Sequence, residues 1–145
     1  MAATSAGILL HRHREEVLLV HPGGPFWRNK DAGAWSIPKG EIEDGEDPRE
    51  RALTEFAEET GTDLAGAELV PLGEVKQKGG KTVIAFAAEG DLDAGAIVSN
   101  TFEMEWPPRS GRRESFPEVD RAAWFDLEQA AAHINPAQAL FLERL

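Results

Sequence analysis

Residues 40–62 read GEIEDGEDPRERALTEFAEETGT, a stretch with the marks of a helix that starts near Asp47 and stops at a glycine. Asp47 is a natural N-cap, Pro48 suits the first helical position and Glu50 stands where a capping-box acid belongs, so the start is specified three ways. Gly61 suits the end. Ala52, Leu53, Phe56 and Ala57 recur at helical spacing and form the stripe to be buried. The remaining surface crowds like charge. With Arg51 as origin and 3.6 residues per turn, Glu55 falls at about 40°, Glu58 at about −20° and Glu59 at about 80°. Three carboxylates and one guanidinium share a face, although each like-charged pair costs a helix roughly 0.2–0.5 kcal/mol. Two explanations compete: a solvated acidic face, or a bound cation. Oxygen-only ligands select a hard ion, Mg²⁺ above all, because it keeps several waters and shares phosphate oxygens.

Around this helix the chain alternates strands and loops. SAGILLHRH (5–13) and VLLVHP (17–22) read as buried strands joined by a charged turn, and residues 22–35, rich in glycine and proline, as a long loop. WSI (35–37) predicts a short strand and PKGEIEDGE (38–46) another loop. Residues 68–77 and 81–89 flank KGG as a hairpin. Phe102, Met104 and Trp106 alternate with Thr101, Glu103 and Glu105, the period of a half-buried strand. PPRSGRRES (107–115) is a basic loop, RAAWF (121–125) a last strand, and DLEQAAAHI (126–134) a helix capped by Asp126 with Gln129 completing a box. Asn135-Pro136 interrupts it before AQALFLERL resumes. The expected class is α+β, a mixed sheet packed by helices, in a single domain over residues 1–145.

With 26 acidic against 15 basic residues, the net charge of −11 disfavours long nucleic acids and anionic membranes. A small phosphorylated ligand at a local basic or metal-lined site stays compatible with it. The absence of cysteine excludes a thiol nucleophile and zinc-thiolate sites and fits a reducing compartment. The apolar runs are too short to span a bilayer and no signal-peptide pattern opens the chain, so the expectation is a soluble cytoplasmic protein. Four further motifs read as ordinary structure: GGKT (79–82) is a turn, HRH (11–13) a strand end, and ATSAG (3–7) and DLDAG (91–95) lack the context of a nucleophile elbow or a calcium loop.

Residues 40–62 resemble the Nudix box: glycine, five residues, glutamate, seven residues, then Arg-Glu-aliphatic-any-Glu-Glu-any-Gly-aliphatic. Gly40, Glu46, Glu55, Glu58, Glu59 and Gly61 fall on motif positions, and Phe56 on the apolar slot. Thr62 and Thr54 depart, the latter standing where the family has an arginine that holds a box glutamate. Arg51 is either its substitute or an ordinary surface pair. The resemblance implies a Nudix-type α/β/α sandwich and a MutT-like, Mg²⁺- or Mn²⁺-dependent hydrolase that cleaves a nucleoside diphosphate linked to another group by water attack on phosphorus. It implies metal ligation by Glu55, Glu58, Glu59 and the backbone carbonyl of Lys39, with Glu46 in support. One more acid is expected from a later loop; Glu118 occupies the expected place, and Glu103, Glu105 and Glu114 compete. Glu55 and Glu118 are the candidate general bases.

For the substrate, Arg28 and Lys30 lie near the box in sequence, Phe26 and Trp27 offer stacking rings, and Arg109, Arg112 and Arg113 lie near Glu118. PKG resembles the dinucleoside polyphosphate and diphosphoinositol polyphosphate branches, and the acidic chain argues against the latter. Dinucleoside polyphosphates and nucleoside triphosphates remain. The rival is a catalytically silent nucleotide-binding or sensor module, which Thr54 favours and the intact glutamate trio disfavours. Oligomeric state has no signature in the sequence.

Overall fold

Apolar side chains on both faces of a strand require cover on both sides. The computed structural model describes residues 3–145, and its central strand β1 (Thr4–Arg12) is of this kind. Ala6, Ile8 and Leu10 join one core, with Ala52 and Phe56 of helix α1 (Pro48–Thr60). Leu9 joins the other, beneath α2 (Leu127–His133) and α3 (Ala139–Arg144), with Ala130 and Phe141. A mixed sheet is thereby packed between helices.

The main sheet runs β4 (Val70–Lys76), β5 (Thr82–Glu89), β1, β2 (Glu16–Pro22), β8 (Val119–Asp126). Only β1 and β5 are parallel among these neighbours. The first two strands pair antiparallel as expected, but only at His11↔Val17 and Arg12↔Glu16 before they diverge. Into the gap fits β3 (Lys39–Glu41), paired with Ser5, Ala6 and Gly7. This corrects the reading of residues 38–46 as loop throughout: β1 has an open edge there, and backbone groups need a partner whatever their side chains. The strand expected at 35–37 reduces to single bridges, Trp35 to Ile134 and Ser36 to Val20.

Residues Thr101–Glu105 form β6 with the expected alternation, but they pair with β7 (Arg113–Pro117) in a separate two-stranded ribbon. The basic loop is accordingly shorter than its composition suggests. At α1, Asp47 accepts from the Arg49 N–H at 2.9 Å, one residue earlier than a capping box requires, so the cap is one-sided. Gly61 ends the helix at φ 80°, where a side chain would be strained. Among the described residues no helix is long and apolar enough to cross a membrane.

Candidate active site

Helix α1 buries Ala52, Phe56 and Thr60 and leaves its acidic face toward β3 and the start of β8. Arg51 organises that face. Its Nη2 donates to Glu46 Oε2 at 2.6 Å, its Nε to Glu46 Oε1 at 3.2 Å and its Nη1 to Glu55 Oε1 at 3.1 Å. The Arg51 side chain is only 19% exposed, so this is more than a solvated i,i+4 pair. The bidentate fork and the Glu43 N–H, 2.7 Å from Glu46 Oε1, hold the Glu46 carboxyl below its ordinary range. Thr54 is exposed.

Gly40 of β3 faces Glu55 so closely that a Cβ placed there would overlap the Glu55 carboxyl group. Burial raises the pKa of Glu55, Arg51 opposes the rise and Glu58 adds to it. Glu59 is the extreme member of the trio. Desolvation first, then the Glu55 and Glu118 charges, push its carboxyl up to about 8 against the pull of Lys39, and its Oε2 is buried with no hydrogen-bond partner. Lys39 is itself lowered by burial, opposed by Glu59.

Glu118 is drawn to the trio by its backbone. Its N–H donates to the Asn100 carbonyl and its own carbonyl accepts from Gly23 N–H, both at 2.9 Å. Burial raises its pKa, and the Glu58 charge raises it further. Glu118 is itself an exposed residue, and what separates it from its competitors is place: Glu103, Glu105 and Glu114 lie on the β6–β7 ribbon.

A cavity of about 340 Å³ opens beside these groups, lined among others by Trp27, Lys39, Glu59, Lys81, Glu118 and Gln138. Arg28 and Lys30 line a neighbouring cavity of about 520 Å³ with Arg121 and His133. Arg109 does not reach the carboxylates: it sits in the turn of the ribbon, at φ 62°, with its N–H on Glu105. Three polar residues escaped the sequence reading. The sequence motif points to the Lys39 carbonyl and not to its ammonium, and Lys81 has no local signal. Gln138 is fully buried and bonds Ser36, the Ile37 N–H and Gln77. Its signal was a polar residue inside the apolar pattern of the last helical segment.

The donor set fits a hard divalent cation. All side-chain donors are oxygens, the buried Glu59 Oε2 lacks a partner, and the carboxylates raise one another's proton affinity until a cation relieves them. Among the described residues no group of three or more histidine, aspartate or glutamate side chains is arranged to hold a metal ion as it stands. Arg51 instead ties Glu55 and Glu46 to one guanidinium.

A pH dependence follows. Because the folded-state pKa of Glu59 is raised from 4.5 to about 8, its contribution to stability is complete below about 4.5 and is lost as pH rises through about 8. The melting temperature of chelator-treated protein is expected to fall by several degrees across that window, and saturating Mg²⁺ to flatten the decline. A flat profile without metal would contradict the burial of Glu59.

Comparison with known proteins gives a consistent picture. A family model described as "NUDIX domain" matches residues 1–145. "Nudix hydrolase 25" of Arabidopsis thaliana is 55% identical over 38 residues, 26% of this chain and 21% of that protein. An "RNA pyrophosphohydrolase" of Roseobacter denitrificans is 49% identical over 43 residues, 30% of this chain and 27% of that protein. The matched stretch thus spans about a quarter of these relatives' own length. Among solved structures, a C. elegans Ap4A hydrolase binary complex superposes with a TM-score of 0.69 at 19% identity, covering 97% of this chain and 93% of that one. MutT, from a study of the Aliivibrio salmonicida and Vibrio cholerae proteins, gives 0.59 at 13% identity, covering 98% and 93%. At these identities the structures speak for the fold.

Proposed function

The chain belongs to the NUDIX domain family, and from that premise we propose that it is a Mg²⁺-dependent pyrophosphohydrolase acting on a dinucleoside polyphosphate or nucleoside triphosphate. The observation that carries this reading is the buried, unpartnered Glu59 carboxylate oxygen, close enough to feel the Glu55 and Glu118 charges, in a cavity that Lys39 and Lys81 also line. Glu55, Glu58, Glu59, Glu118 and the Lys39 carbonyl would hold the ion. When bound, Mg²⁺ supplies charge stabilisation for the phosphates and lowers the cost of forming the nucleophile from water. Phosphoryl transfer depends on positioning and electrostatics, and the lysines contribute both toward a phosphate chain.

In the proposed reaction, water attacks one phosphorus of a phosphoanhydride, the bond to the bridging oxygen breaks, and that oxygen leaves on the other phosphate. The proton from water goes to a carboxylate. Glu55 and Glu118, whose proton affinity burial has raised, suit that task. Arg51 holds Glu55 by one oxygen and leaves the other free, supplying from one turn earlier the bond that Thr54 cannot make. Arg51→Ala should raise the Mg²⁺ concentration for half-maximal rate by roughly tenfold, within the range for groups that orient metal ligands. Arg51→Lys should recover only part, because an ammonium cannot fork two glutamates. An unchanged metal requirement in Arg51→Ala removes the substitution.

The assay is phosphate release with and without Mg²⁺ on diadenosine tetraphosphate, common and oxidised triphosphates, and nucleotide sugars. Metal-dependent turnover is expected on the first two classes. Tight nucleotide binding with no hydrolysis across the panel would favour the silent module. A single domain in a cytoplasmic setting belongs to the same proposal; the family match along residues 1–145 and the cysteine-free sequence support it.

A further inference from the structure

Adjacent large hydrophobic side chains left in water mark a candidate contact surface, and Phe26 and Trp27 are such a pair, 62% and 41% exposed. The loop beneath them is tied down. Gly23 N–H donates to the Glu118 carbonyl at 2.9 Å, Trp27 N–H to the Gly24 carbonyl at 3.3 Å, and Lys30 N–H to the Trp27 carbonyl at 3.0 Å. The Lys30 carbonyl meets Nε2 of the fully buried His21 at 2.6 Å, and His21 Nδ1 meets Asp120 at 2.9 Å. Phe26 stands edge-on to Trp106 with ring centroids 5.6 Å apart, and the ring of Phe102 backs Gly24. The rings are therefore held outward by the fold.

Their position gives them a direction. Trp27 lines the cavity that contains Glu59 and Glu118, and Phe26, next to it in the chain, is the more exposed of the two. Cations stand on both sides: Lys39 and Lys81 inside, and Lys30 outside with its ammonium 5.3 Å from the Trp27 ring centroid, beside Arg28. A chain of phosphates can run from one set to the other. The inner cavity of about 340 Å³ is at the small end of ligand sites, sized for one nucleoside. The net charge of −11 repels a long polyanion.

We propose that Phe26 and Trp27 form an outer stacking platform for a second nucleoside, so that this site takes dinucleoside polyphosphates in preference to mononucleotides. The proposal rests on the functional reading above for the location of the phosphates. Base-on-aromatic stacking is worth at least about a fivefold effect per base and tolerates any base.

The test reads binding apart from turnover. Tryptophan fluorescence, with Ca²⁺ replacing Mg²⁺, gives the affinities of diadenosine tetraphosphate and of ATP for the full chain, Phe26→Ala and Trp27→Ala. The dinucleotide is expected to bind roughly tenfold tighter than ATP, and that ratio to fall toward one in both variants. The exposed Phe26 can be removed without opening the core, so this variant decides the matter even if Trp27→Ala folds poorly. Equal affinities in the unaltered protein, or an undiminished ratio in Phe26→Ala, overturn the platform. So does a 5′-triphosphorylated oligoribonucleotide that outcompetes the dinucleotide through the same rings, or a concentration-dependent dimer that Phe26→Ala abolishes. Hydrolysis assayed in parallel separates the failures: a Phe26-dependent preference without turnover removes the hydrolase and keeps the platform, and turnover without preference does the reverse.

Discussion

Glu59→Gln is expected to reduce Mg²⁺-dependent hydrolysis by roughly 10²–10³-fold, the loss typical when one preorganised electrostatic contact to the transition state is removed. The substitution keeps the shape of the side chain and deletes its charge. It should also raise the melting temperature of the metal-free protein near pH 8, because desolvation and the Glu55 charge penalise the carboxylate there. Loss of activity together with a gain in apo stability is the signature of a ligand placed for an ion and not for the fold. Calorimetric titration with Mg²⁺ and Mn²⁺ and a thermal scan of the same variant check both halves. A variant that binds metal like the parent would remove Glu59 from the ligand set, and a parent that binds none would leave the acidic face as a solvated surface.

Gly40→Ala should approach that loss by a different route. The new methyl group would meet the Glu55 carboxyl, the mobile end of a side chain, so the helix and sheet need not move. Glu55 must swing aside, giving up Arg51 Nη1 and its place among the carboxylates. The expected result is roughly a hundredfold fall in kcat, the lower end of the range for one lost electrostatic contact, with a melting temperature within a few degrees of the parent. Rates and thermal scans on one preparation check it. Full activity would show that Glu55 works from another rotamer.

The parts of the molecule legible in the sequence were those specified locally. Helix α1 carries its own cap, stripe and stop, so Glu55, Glu58 and Glu59 could be placed on one face before any tertiary contact was known. The β4–β5 hairpin and the β1–β2 turn were equally local. β3 was hidden because its three residues are defined by an open edge of β1 and have no side-chain pattern of their own. The same dependence on distant partners hid Gln138, which is polar in an apolar pattern and becomes intelligible only once Ser36, Ile37 and Gln77 surround it. Arg109 shows the opposite error. Nearness to Glu118 in sequence suggested nearness in space, but an intervening ribbon carries it away.

Gln138 has one more consequence, for the order in which the molecule assembles. Its single amide joins segments 61, 101 and 102 residues away along the chain. Contacts of such span slow folding, because loop-closure entropy must be overcome before they reward it. The acidic helix is specified locally, yet the chamber beside it is enclosed only when the C-terminal segment that carries Asn135 and Gln138 docks. A nascent or partly unfolded chain would hold its carboxylates with no enclosed space for a nucleotide.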